Sequence, residues 1–201
     1  MSSATSRLRY TIVAIAFHWL IALGVLLLIC IGLAMTNLGL APMRQFQLYQ
    51  LHKSIGITVL ILSLLRLIWR FGHRPPPLPA AMPRLEQRAA SATHGVLYGL
   101  IIGMPLTGWA MVSASKYNIP TVLYGLVPWP HLPVFATLPN KAAVEAVLKQ
   151  VHEYGAWVLI ALLVLHVGAA LRHHFALRDD TLWQMLPVVS RPTVHQSESI
   201  R

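Results

Sequence analysis

Four stretches of this chain are too long and too apolar for a water-soluble domain: about Thr11–Met35, Leu48–Arg70, Ala90–Val112 and His152–Phe175. Each reaches the roughly 20 residues that a helix rising 1.5 Å per residue needs to cross a hydrocarbon core. Backbone groups in lipid must bond within their own segment, so the spans are predicted to be helices. The predicted fold is all-α: a four-transmembrane-helix bundle forming one membrane domain over residues 1–201, with a polar tail at 176–201. Apolar residues make up 56% and charged residues 11%, against roughly 25% charge in soluble chains. That balance excludes a disordered chain, a disulfide scaffold and an ordinary cytosolic enzyme. The single cysteine, Cys30, has no internal partner, and there is no Cys-x-x-Cys motif. The first apolar run follows Arg7 and Arg9 as a signal peptide would. It is longer than the ~7–15 residues of a signal core and lacks a small-x-small cleavage site, so it reads as a retained span.

The net charge of +10 is explained by topology and calls for no nucleic-acid partner. With the N-terminus in the cytoplasm, Arg7, Arg9, Arg66, Arg70, Arg74, Arg84, Arg88, Arg172, Arg178, Arg191 and Arg201 fall on the inner side. Arg44, Lys53, Lys116, Lys141 and Lys149 fall outside. The bias, 11 against 5, predicts that both termini are cytoplasmic. The second connection, FGHRPPPLPAAMPRLEQR, reads as an extended cytoplasmic strap. The third, about Ser113–Val151, is the longest and ends in a helical approach from Asn140 to the fourth span. The end of the tail is expected to be disordered.

Ten histidines are the unusual feature. His18, His52, His94, His152 and His166 lie in or at the mouth of a span, where polar groups are costly and turn toward the bundle interior with a partner. His152 and His166 are 14 residues apart, which puts them within about 40° of one helix face and about 21 Å apart along it. With alternating helix directions, His52 and His152 share an outer level, and His18 and His166 an inner one. Two facing imidazoles inside a membrane suit a bis-histidine b-type haem; zinc or copper would require further donors that these depths lack. A histidine-based proton or metal pathway and purely structural histidines are the competing readings.

His94 enters the third span near the inner level. It could replace either inner ligand, or hydrogen-bond a haem propionate or a quinone. Gly95, Gly99 and Gly103 on its helix suit either close helix packing or the flat face of a macrocycle. Pro105 is expected to kink that helix or loosen its bonding. Arg66 and Arg70, four residues apart, are either snorkelling topology determinants or partners for propionates. His173 and His174 at the inner rim are flanking polar residues, or donors to a quinone head group. His73, His131 and His195 lie outside the spans and receive no role.

Together, His18-Trp19, His52-Lys-Ser-Ile-Gly, His94, His152-Glu, His166 and the run from His173-His-Phe to Met185-Leu-Pro187 resemble the bacterial cytochrome b561 family, over about Arg7–Pro187. The resemblance implies an inner-membrane protein holding two b-type haems (heme b) and exchanging electrons with ubiquinone. By position, His52 and His152 would ligate the outer haem, His18 and His166 the inner one, and His173 and His174 would lie near quinone. At least one member of that family oxidises superoxide on the periplasmic side. The outer charges here, five basic residues against Glu145 and Glu153, would favour such an anion. A haem-bearing anchor subunit, relaying electrons from a dehydrogenase or hydrogenase partner, is the alternative; a homodimer is also compatible. The long third connection, with its prolines around Leu126–Pro139, departs from the family pattern and leaves the outer donor open.

Overall fold

A computed structural model describes residues 9–73, 75–77, 82–135 and 137–187. Four long helices carry the fold: α1 (Ile12–Asn37), α2 (Pro42–Gly72), α3 (Arg84–Ala114) and α4 (Lys141–Arg172), the last continued by a π-helical turn over His173–Leu177. All four are long and apolar enough to cross a membrane. Their starts follow local chemistry. Thr11 Oγ1 accepts from the Ala14 amide at 3.2 Å and caps α1. Pro42 opens α2, where its fixed φ fits a first helical turn and its missing N–H costs nothing.

The helices are longer than the apolar stretches alone indicate. At 31 residues each, α2 and α3 extend about 46 Å, beyond a hydrocarbon core of about 30 Å. Both begin six residues before the expected boundary, because amphipathic turns emerging into the headgroup region continue a helix that apolarity does not mark. The strap is correspondingly shorter: Phe71 and Gly72 end α2, and Arg84–Arg88 belong to α3. Residues 75–77 are without regular structure, while 74 and 78–81 lie outside the described residues, as do 188–201 and the disorder expected there. Through Pro105, α3 is unbroken.

The third connection contains an antiparallel hairpin that the sequence reading did not anticipate: β1 (Thr121–Leu123) pairs with β2 (Val127–Trp129). The turn places Tyr124 and Gly125 at φ +53° and +73°. The hairpin is pinned to α2. Gln50 Nε2 and Lys53 Nζ donate to the Pro120 carbonyl at 3.0 and 3.4 Å, and the Tyr124 amide donates to Ser54 Oγ at 2.9 Å. The helical approach from Asn140 is the first part of α4 itself.

Backbones approach closely between α1 and α2, α2 and α3, and α3 and α4. The core joins Ile21, Val25, Val59, Leu97, Ile101 and Leu159, an apolar layer at mid-bundle. Leu159 stands seven residues from both His152 and His166, so this layer separates the two histidine levels. Gly24 makes the α1–α2 contact possible, since a Cβ there would stand 2.6 Å from Val59 Cγ2.

Candidate functional site

The structure brings the membrane histidines together in pairs at the two ends of the bundle. His52 on α2 faces His152 on α4 with ring centroids 6.3 Å apart and planes at 71°. His18 on α1 faces His166 on α4 with centroids 6.4 Å apart and planes at 68°. The pairs span α2–α4 and α1–α4, which are not the helix pairs in close backbone contact. Imidazoles therefore reach toward each other across seams the helices leave open.

Several features hold these rings. In the His52–His152 pair, His152 Nδ1 lies 3.0 Å from Thr107 Oγ1. A Cβ on Gly108 would come within 3.2 Å of His152 Cε1, and one on Gly32 within 3.6 Å of His52 Cε1. These two glycines leave the space the rings occupy. His52 Nδ1 is buried without a hydrogen-bond partner, a cost that proteins seldom carry at a site with no ligand. His94 joins the His18–His166 pair, its ring centroid 5.5 Å from that of His166. His18 and His166 are partly buried, whereas His94 is exposed on the surface of the bundle.

The remaining sequence candidates also find surroundings. The Arg66 and Arg70 guanidinium carbons each lie 5.3 Å from the Tyr98 ring centroid, and neither has a carboxylate partner among the described residues. Tyr10 lies just outside α1; burial raises its phenol above the ordinary value, an effect partly offset by Arg70 and Arg66. Tyr10, Arg66, Trp69, Arg70 and Tyr98 line a small cleft between α1, α2 and α3. His173 Nδ1 meets Asp179 Oδ2 at 2.5 Å, and Asp179 Oδ1 accepts from the Thr181 amide at 2.9 Å. Although burial pulls the Asp179 carboxyl upward, the bonds from His173 and Thr181 hold it below its ordinary value. His174 packs edge-on against Phe175, with Trp183 beyond it. A Cβ at Gly95, Gly99 or Gly103 would meet nothing within 4 Å, so that stripe is not a helix–helix contact.

Thr107, Gly108, Gly32, Tyr98 and Asp179 are site residues that the sequence alone does not mark. Only Asp179 carries a local signal, an acid six residues beyond a histidine at a helix end. The others act across helices, and no spacing within one span reveals them.

Comparison with known proteins now bears on the paired histidines. The family model described as prokaryotic cytochrome b561 matches residues 9–188. This chain belongs to the prokaryotic cytochrome b561 family. Among its relatives, cytochrome b561 homolog 2 of Escherichia coli K12 is 35% identical over 187 residues, covering 92% of this chain and 95% of the relative. A Yersinia pestis protein named probable superoxide oxidase CybB is 31% identical over 182 residues, covering 89% and 96%. This cytochrome b561-family chain is accordingly a multi-pass bacterial inner-membrane protein that binds haem b and transfers electrons.

The donor set fits that cofactor. An iron–imidazole bond of about 2 Å, plus roughly 1 Å from nitrogen to ring centre on each side, separates two axial ring centroids by about 6 Å. The observed 6.3 and 6.4 Å match. No group of three or more His, Cys, Asp or Glu side chains suited to a bare metal ion occurs among the described residues. Pairs of imidazoles in open seams suit a porphyrin, which itself supplies the other four ligands.

Proposed function

We propose that this protein is a di-haem b-type cytochrome that passes electrons from superoxide, on the outer side, to ubiquinone on the inner side, with both termini cytoplasmic. The observation that carries the reading is the two imidazole pairs, 6.3 and 6.4 Å apart, at opposite ends of one bundle. His52 and His152 are assigned to the outer haem, His18 and His166 to the inner one. His94, with its ring centroid 5.5 Å from that of His166 against 6.4 Å for His18, is assigned a place beside the inner ligand pair and not in it. A haem b held by these residues supplies a one-electron ferric/ferrous couple.

The chain's own residues do the rest. Imidazoles from different helices fix the planes, and the Leu159 layer keeps water out between the levels. Lys53, adjoining His52 and held to the hairpin, adds positive charge on the side where an anion arrives. Arg66 and Arg70, with no carboxylate partner among the described residues, are assigned to pair with propionates at the inner level. His173, backed by Asp179, is assigned to donate protons to quinone, with His174 beside it. The balance is two superoxide anions oxidised to two dioxygen molecules, with two electrons and two protons converting one quinone to quinol. The name of the Yersinia pestis relative supports superoxide as donor.

The test adds superoxide to purified, quinone-loaded protein. The reading expects reduction of the α-band faster than spontaneous dismutation, followed by quinol. Reduction only by a co-purifying dehydrogenase or hydrogenase would instead support an anchor subunit.

A further inference from the structure

The outer pair is not symmetric, and the asymmetry lies in a hydroxyl on a third helix. Thr107 Oγ1 donates to the Met104 carbonyl at 2.8 Å and also stands 3.0 Å from His152 Nδ1. A threonine hydroxyl has one proton. With that proton committed to Met104, the oxygen can only accept, so the proton between Thr107 and His152 belongs to Nδ1, with the Met104 carbonyl a second acceptor beside the same ring. His152 is then the tautomer whose Nε2 lone pair is free. The position is tightly built. Gly108 leaves the space beside Cε1, and Met104 packs over α4 so closely that a Cβ at Gly155 would stand 2.6 Å from its Sδ. The opposing ring lacks this anchor: His52 Nδ1 is buried with no partner.

We propose that Thr107 is a positioning residue that fixes His152 as an Nε2 ligand of the outer haem and sets that haem's potential apart from the inner one. The inference rests on the assignment of His152 to the outer haem. A hydrogen bond accepted from Nδ1–H makes the imidazole a stronger electron donor, which favours ferric iron and lowers the potential. No equivalent bond from a side chain or carbonyl reaches His18 or His166 among the described residues.

The experiment compares wild type with Thr107→Val, Thr107→Ser and His152→Ala in purified protein, reading haem-to-protein ratio and a potentiometric titration of each α-band. Thr107→Val, nearly isosteric but unable to accept, should bind the outer haem about 10–100-fold more weakly. It should also raise the potential of the outer haem and leave the inner one unchanged. Thr107→Ser should behave as wild type. Should the valine variant lose both haems, Thr107→Ala replaces it, with the same shift expected against serine. Equal behaviour of the serine variant and the variant without a hydroxyl overturns the role of Thr107. Retention of both haems by His152→Ala overturns the ligand assignment beneath it, so the two failures are distinguishable.

Discussion

Two glycines in the bundle make opposite kinds of room, and each carries its own prediction. Gly24 allows α1 to approach α2, with Val59, only 2% exposed, occupying the space of the missing Cβ. Gly24→Ala overpacks this contact and is expected to cost about 1–3 kcal/mol. A thermal melt in detergent checks it; an unchanged midpoint would mean that Val59 turns aside freely. Gly108 instead makes room for the His152 ring. Gly108→Ala puts a methyl 3.2 Å from His152 Cε1 and should tilt that ring, weakening the outer haem's α-band while the inner band persists in the difference spectrum. The histidines themselves were readable in the sequence because they are polar groups in lipid-length segments, and because 14 residues bring two of them onto one face of α4. Thr107 and Gly108 were not, since a threonine or a glycine in an apolar helix is unremarkable until a neighbouring helix brings an imidazole against it.

At the level of elements, the tail shows how a short polar segment is held without a core of its own. Trp19 Nε1 donates to the Met185 carbonyl at 2.7 Å, Arg9 donates to the Leu186 carbonyl at 2.6 Å, and His173 grips Asp179. The tail thus closes over the N-terminal end of α1, beside His18. Because the Asp179 carboxyl is held below its ordinary 3.8 when docked, its contribution is present above that pH. It fades as the pH falls through the lowered, docked value. Amide-exchange protection over Leu177–Leu186, corrected for the intrinsic rate at each pH, should therefore fall on acidification below pH 3.8 in wild type, whereas Asp179→Asn should lack it already at neutral pH. Identical profiles would remove Asp179 from the docking. Helix cores were legible from apolar runs, but their ends were not: the first turns of α2 and α3 are polar enough to pass for loop. The hairpin was hidden for a related reason. Its strands are three residues each, too short to show alternation, and they are fixed by Gln50, Lys53 and Ser54 on another element.

Across the whole molecule, the arrangement is a four-helix bundle with close backbone approaches along three neighbouring pairs and with imidazoles bridging the wider seams to α4. The arginine bias predicts an orientation, and reporter fusions check it: a reporter active only in the periplasm should be silent at either terminus and active in the hairpin at Gly125. The reverse pattern would place the His52–His152 pair on the cytoplasmic side and superoxide on the wrong face. Span count and the pairing of the histidines follow from hydropathy and periodicity, which are long-range regularities of a membrane chain. The contacts between loops and helix ends obey no such regularity. The most direct test of the account is the haem-to-protein ratio of the purified protein. Two b-type haems per chain, falling to one on replacement of His52 by alanine and to one on replacement of His166, is the result expected from two separate imidazole pairs. One haem or none in the wild type, or two in either variant, would contradict it.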